Sequence, residues 1–306
     1  MDSKYEADAQ ALRDALKGSG TDEATIINIT SKRSNSERQT IRQAYKAAFG
    51  RDLIEDLDED LSGNFQKVVV GMYLTPTEFD VTELYEAFQG AGTDEDSVME
   101  IIGSRNNKRL QDIKDLYFLK YGEKLEDRVK SETSGDYMNL LIALLQCQRD
   151  ETFQVNASEV QRDVDALYKS GEGQWGSDEE TFTRIFSLRS TAELAAVNHL
   201  YAQSHGKSLL DIVESECSGD LQTLLRTILH SHINPSDYFA TRIYNACKGW
   251  GTNDNVLIRS LITTDEAFMG EIKNAYQKKY GTTLESQIQD ECSGDFMDML
   301  IQLVSQ

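Results

Sequence analysis

The chain has 306 residues, 39% apolar and 27% charged, with a formal net charge of −21. A chain this long buries a sizeable core, and its acidity argues against direct binding to nucleic acid, which needs basic stripes to neutralise phosphates. It equally opposes unaided adsorption to anionic lipid, which becomes reachable only with a divalent cation in between; solubility alone is the plainer reading of the charge.

No apolar run approaches the ~20 residues of a membrane span. The opening Met1-Asp2-Ser3-Lys4-Tyr5-Glu6 lacks the basic and apolar regions of a signal peptide. Cys147, Cys217, Cys247 and Cys292 are too few for a disulfide framework in so long a chain and read as reduced thiols. A globular, cytoplasmic protein is expected.

In chain order, Ala11, Leu12, Ala15 and Leu16 form the apolar side of a first helix, A. A Gly18-Ser19-Gly20 loop ends it, and Thr21 is expected to cap helix B, which carries Ile26, Ile27 and Ile29. Ile41, Tyr45 and Phe49 make an i, i+4, i+8 stripe on helix C, closed by Gly50 as a C-cap. Leu53, Ile54, Leu57 and Leu61 mark helix D. Ser62 is expected to cap helix E, with Phe65, Val68, Val69 and Met72 inside.

The same unit then returns three times. Its second glycines are Gly20, Gly92, Gly176 and Gly251, and the C-cap glycines Gly50, Gly122, Gly206 and Gly281 follow the same steps of 72, 84 and 75 residues. Fixed self-similarity of this kind defines the architecture. The expected fold is all-α: four five-helix repeats over 1–75, 76–147, 159–233 and 234–306, with a polar linker at 148–158. Pro76 and Pro235, the chain's two prolines, mark the first and last boundaries.

Forty residues after each second glycine stands an acid: Asp60, Glu132, Glu216 or Glu291. One glycine loop is usually a tight helix–helix turn; four with the same distant acid point to a repeated site. Glycines let the backbone turn its carbonyls toward one point. Carbonyls plus one carboxylate form a hard oxygen site suited to Ca2+, with positions left open for a lipid phosphate. Zinc would need His or Cys clusters, and a nucleotide loop would need a preceding strand and a longer glycine pattern. Weak affinity in solution is expected, toward the upper end of the ~10⁻⁷ to 10⁻³ M range. The residue beside or between the glycines is Ser19, Ala91, Trp175 or Trp250. Both tryptophans of the chain fall there, which suits a bilayer interface or packing against their own loops.

The loops Lys17-Gly18-Ser19-Gly20-Thr21-Asp22 and Lys248-Gly249-Trp250-Gly251-Thr252, the forty-residue offset and the four units resemble the annexin family over essentially the whole chain. The resemblance implies a slightly curved disk and ligand sets for four ions. These are the carbonyls of Leu16, Gly18 and Gly20 with Asp60; of Phe88, Gly90 and Gly92 with Glu132; of Gly171, Gln174 and Gly176 with Glu216; and of Cys247, Gly249 and Gly251 with Glu291. It implies reversible, calcium-dependent binding to acidic phospholipid such as phosphatidylserine, peripheral on membranes when calcium rises, with self-association and cytoskeletal contact as further expectations. A short N-terminus would lack the partner-binding segment of relatives.

Two departures from the family pattern stand out. Arg33, Arg105 and Arg189 lie thirteen residues past the second glycine, but Thr264 takes that place in the fourth unit, and Asp60 replaces a commoner longer acid. A polar cluster matched by Asp80, Glu83, Glu100, Arg105 and Arg259 is tied in the family to ion conduction in vitro; a structural ion-pair network is the alternative reading. A scaffold whose assembly is tuned by calcium is the alternative function. Catalysis is not expected, because His199, His205, His230 and His232 have no nucleophile at a working spacing and recur in no other unit.

Overall fold

The structure is a computed structural model that describes residues 3–18, 20–90, 92–170, 179–249, 251–264 and 266–305. Among these residues it contains twenty α-helices and no strand, five helices to a repeat. The first repeat holds α1 (Ser3–Ala15), α2 (Glu23–Ser31), α3 (Asn35–Phe49), α4 (Leu53–Asp60) and α5 (Gly63–Tyr73), which are helices A to E of the sequence reading. No described helix is long and apolar enough to cross a membrane.

The expected stripes are the buried faces. Leu12, Ile26, Ile41, Tyr45, Leu53, Leu57, Val68 and Val69 are all buried in repeat one. Helix C ends in left-handed glycines at Gly50, Gly122 and Gly206, each donating its N–H to a carbonyl four residues back. Only glycine takes that conformation without a Cβ penalty, so the helix stops there at little cost. Pro76 and Pro235 are the first residues of α6 (Pro76–Ala87) and α16 (Pro235–Cys247), where a missing N–H costs nothing because the first turn has no acceptor for it.

The chain divides into two compact units. One comprises residues 1–79 with 239–306, so the first and fourth repeats pack together; the other is residues 80–238, the second and third. In the former, α2 and α5 pack against α20 (Gly294–Val304). In the latter, α7 (Glu95–Ser104) lies along α15 (Gly219–Ile233). Gly103 makes that approach close: a Cβ there would meet Leu224 at 3.1 Å and Thr227 at 3.3 Å. Between repeats two and three no helix is found from 146 to 156. Asp150 there donates its N–H to the Leu188 carbonyl at 2.8 Å, and Phe153 is 96% exposed.

The arginines that recur in three repeats tie helix B to helix A. Arg33 grips Asp8 at 2.8 and 3.1 Å, Arg105 grips Asp80 at 3.1 and 3.0 Å, and Arg189 holds Asp163 in the same way. The replacement at Thr264 is different in kind. In the fourth repeat the helix A position is Phe239, twelve residues before Gly251 as Asp8 and Asp80 are before Gly20 and Gly92. Both partners are replaced together, and no charge is stranded. Phe239 packs edge-on to Phe268, and Thr264 turns its hydroxyl to the Ser260 carbonyl. Of the polar cluster, Asp80, Glu83, Glu100 and Arg105 belong to the second unit, where Asp80 also pairs with Arg109; Arg259 belongs to the first and is 1% exposed.

Candidate metal centres

Each described loop begins on a buried anchor. Leu16, Phe88 and Cys247 are 7%, 2% and 1% exposed. The glycines that follow take positive φ: 109° and 105° at Gly18 and Gly20, 96° and 102° at Gly90 and Gly92, 120° and 91° at Gly249 and Gly251. A Cβ at any of the six would touch nothing within 4 Å. Glycine is therefore required by the backbone conformation, which residues with a Cβ rarely adopt, rather than by crowding.

The loop is closed by a hydrogen bond spanning seven residues. Asp22 donates its N–H to Ala15 at 3.0 Å, Asp94 to Ala87 at 2.9 Å and Asn253 to Ala246 at 2.8 Å. These same residues cap the next helix, accepting from the N–H of Thr25, Ser97 and Val256 at 3.1, 3.2 and 3.2 Å. The cap is thus Asp22, not the Thr21 that the sequence suggested. Both types cap helices well, but only the residue whose own amide closes the loop sits at the helix start. The Thr25 hydroxyl and then the Thr25 amide hold the Asp22 carboxyl below its usual range.

The acids also fall at one structural position. Asp60, Glu132, Glu216 and Glu291 are each the last residue of helix D: α4, α9 (Leu125–Glu132), α14 (Leu209–Glu216) and α19 (Leu284–Glu291). Two residues on, Ser62, Ser134, Ser218 and Ser293 occupy the N-cap of helix E. None makes the expected side-chain cap bond. A glycine at φ of about 60° follows each of them and turns the chain between the two helices: Gly63 at 63°, Gly135 at 63°, Gly219 at 58° and Gly294 at 62°.

In repeat two, loop and acid are linked by a side chain. One guanidinium nitrogen of Arg128 donates to the Phe88 carbonyl at 2.5 Å and stands 3.4 Å from Glu132. A carbonyl named as a ligand from sequence and the carboxylate assigned to the same ion thus meet a single positive group. In repeat four, burial pushes the Cys247 thiol up to about 12, with Cys292 and the Glu291 charge adding to it. The same acid is among the neighbours that raise Tyr276. The loop of repeat three (Gly171, Gln174, Trp175 and Gly176) lies outside the described residues, as do Ser19, Ala91 and Trp250; Glu216 is described and partly buried.

A cleft of about 470 Å³ within the second unit is lined by Glu132 and Glu216 together with Glu95, Asp136, Glu179 and Asp220. Six carboxylates around one opening focus a negative potential that concentrates cations beside two of the candidate centres. In the first unit the corresponding places are milder. Asn64, at the position of Asp136, donates its amide to Asp254 at 2.6 Å. Sequence reasoning missed Arg128, which recurs in no other repeat, and the acidic cleft, whose acids do recur (Glu95 and Glu179, Asp136 and Asp220) but which only the fold gathers around one opening.

A protein-family model described as Annexin matches residues 7–72, 79–144, 162–228 and 238–303. The chain is 41% identical over 297 residues to annexin A5 of Mus musculus, covering 97% of this chain and 93% of that protein. Against annexin A7 of Homo sapiens it is 38% identical over 299 residues, 98% of this chain but 61% of that protein's own length. Its structure superposes on one titled annexin III with a TM-score of 0.96 at 36% identity, covering 99% and 94% of the two chains. It superposes on a calcium-bound annexin (Sm)1 with a TM-score of 0.87 at 32% identity, covering 99% and 90%.

Proposed function

The chain belongs to the annexin family, known for calcium-dependent phospholipid binding, and from that premise we propose that it attaches reversibly to acidic phospholipid through calcium ions held in its loops. The observation that carries this reading is the convergence in repeat two, where one cationic nitrogen touches both the Phe88 carbonyl and Glu132. Donor chemistry agrees: neutral carbonyls with a single carboxylate are hard oxygen ligands, and they leave coordination positions open.

The ion would be held by the carbonyls of Leu16, Gly18 and Gly20 with Asp60, by Phe88, Gly90 and Gly92 with Glu132, and by Cys247, Gly249 and Gly251 with Glu291. Gly171, Gln174 and Gly176 with Glu216 complete the set. When bound, calcium supplies a positive charge shared between protein oxygens and a lipid phosphate. The chain's own contribution is the positive-φ glycines of its described loops and one acid per repeat at the end of helix D. At a net charge of −21, docking on an anionic surface without the ion is opposed by Coulomb repulsion. A cytoplasmic protein that becomes peripheral on membranes as calcium rises fits this chemistry.

The test is co-sedimentation with phosphatidylserine vesicles across a calcium titration, followed by a chelator wash. Binding should appear with calcium and reverse on chelation. The quadruple variant Asp60→Ala, Glu132→Ala, Glu216→Ala, Glu291→Ala should stay in the supernatant at every calcium concentration. Undiminished sedimentation of that variant would overturn the assignment of these acids.

A further inference from the structure

Arg128 occupies a place that no other repeat fills with a cation. Counting four residues back from each candidate acid gives Asp56, Arg128, Ile212 and Gln287. Asp56 is buried and committed elsewhere, to Tyr45, Arg13 and Arg51. Ile212 is 1% exposed in the core. Gln287 reaches its own acid, Glu291, at 3.3 Å with a neutral amide. At this position, and among the described residues, only the second repeat puts a full positive charge between loop and acid.

The guanidinium takes the carbonyl side of a cation's place, with the Glu132 carboxylate farther off at 3.4 Å. The Arg128 nitrogen lies 2.5 Å from the Phe88 carbonyl oxygen, within the ~2.3–2.6 Å at which calcium would hold such an oxygen. The guanidinium carbon stands 5.9 Å from the centre of the Phe88 ring, so the side chain packs on the loop's anchor residue as well as bonding to it. Its Nε is buried without a hydrogen-bond partner. The side chain is thus placed by one terminal nitrogen on the carbonyl and the acid, not by a full set of bonds along its length.

We infer that Arg128 is a tethered cation that competes with calcium for the second-repeat centre, so that this centre fills only when the guanidinium swings away. The inference rests on the calcium reading and gives that site its own regulation. Two positive charges cannot share one carbonyl and one carboxylate at these distances. Arginine stays protonated at any physiological pH, so calcium and not acidity governs the exchange. Without calcium, the same side chain fastens the loop to helix D and keeps Glu132 partnered.

The experiment isolates this centre in the full chain. Asp60→Ala, Glu216→Ala and Glu291→Ala together leave Glu132 as the one candidate acid, and calcium is titrated calorimetrically with Arg128 intact or changed to Gln, the residue that repeat four carries. Loss of a charge-assisted competitor should tighten calcium binding by about tenfold or more. Thermal unfolding in chelator should also drop for Arg128→Gln relative to its parent, because the clamp is gone. Arg128→Lys keeps the charge without the planar guanidinium that packs on Phe88 and should fall between. Unchanged or weaker calcium binding in Arg128→Gln, with folding intact by circular dichroism, would overturn the inference. Absence of calcium binding in the unaltered chain would instead remove the reading beneath it.

Discussion

Arg105 clasps Asp80 through two nitrogens, at 3.1 and 3.0 Å, and the aspartate is fully buried. Burial disfavours the charged guanidinium, yet Asp80 more than offsets it and holds Arg105 above its ordinary value, with Glu100 assisting. Arg109 shares the same carboxylate. Asp80→Asn should therefore strand a buried cation, at a cost of about 3–5 kcal/mol, measured by urea unfolding. Phe239 and Thr264 supply the converse test. Thr264→Arg alone places a charge opposite Phe239 in place of the aspartate of the other repeats, and Phe239→Asp alone does the reverse. Both should destabilise, and the double variant should recover part of the loss.

Two glycines separate backbone demand from packing demand. Gly92 has a φ of 102° and open space where a methyl would go, whereas at Gly71 a Cβ would lie 2.6 Å from Ile262 and 2.9 Å from Phe79. Gly92→Ala should cost about 1–2 kcal/mol through conformational strain and should weaken calcium binding by tilting the carbonyls of its loop. Gly71→Ala should cost about 1–3 kcal/mol through overpacking and leave calcium affinity unchanged. Chemical denaturation and calcium calorimetry on both variants separate the two effects.

Most of the scaffold was legible because it repeats. The helix C stripe, its C-cap glycine and the acid forty residues beyond each loop are periodic signals, and all three fall where the sequence placed them. The sequence groups Asp80 with Arg105 but does not pair Asp8 and Asp163 with Arg33 and Arg189: the aspartate's period shows in the chain, whereas the contact between helix A and the arginine beyond helix B leaves no spacing of its own. The Thr21 cap failed for a local reason. Threonine and aspartate stand side by side, and the loop-closing bond from Asp22 to Ala15, invisible in sequence, decides between them. In the last helix Phe296 and Leu303, at the positions of Phe65 and Met72, are only half-buried, while the neighbouring Val304 is fully buried.

The thiols should be slow to react. Burial is the first cause raising all four: Cys147 is raised, Cys217 and Cys247 are pushed to about 12, and Cys292 to about 11. The thiolate is the reactive form, and little of it is present at pH 8. Ellman's reagent at that pH should titrate the native protein slowly and all four cysteines at once in denaturant. Rapid reaction of a native thiol would show that its surroundings are more open than this.

Acid should weaken the second unit through His232. Its ring lies between the Gly103 carbonyl and the Thr191 hydroxyl, each at 3.3 Å. Burial, and then the nearby Arg149 charge, push its pKa down from 6.5 to about 4 against the opposing pull of the Gly103 carbonyl. The folded protein thus keeps this histidine neutral where the unfolded chain would protonate it. The unfolded state binds the extra proton below pH 6.5, so stability falls as pH drops from about 6.5 to about 4 and is flat above. Across that window the loss amounts to roughly 3 kcal/mol. His232→Gln keeps a hydrogen-bonding side chain but cannot gain the charge. The variant should unfold at nearly the same temperature at pH 6 and pH 4.5, apart from a slope shared with other groups, while the parent loses several degrees more. Equal slopes for the two proteins would mean that His232 is protonated in the fold, with Arg149 displaced from it.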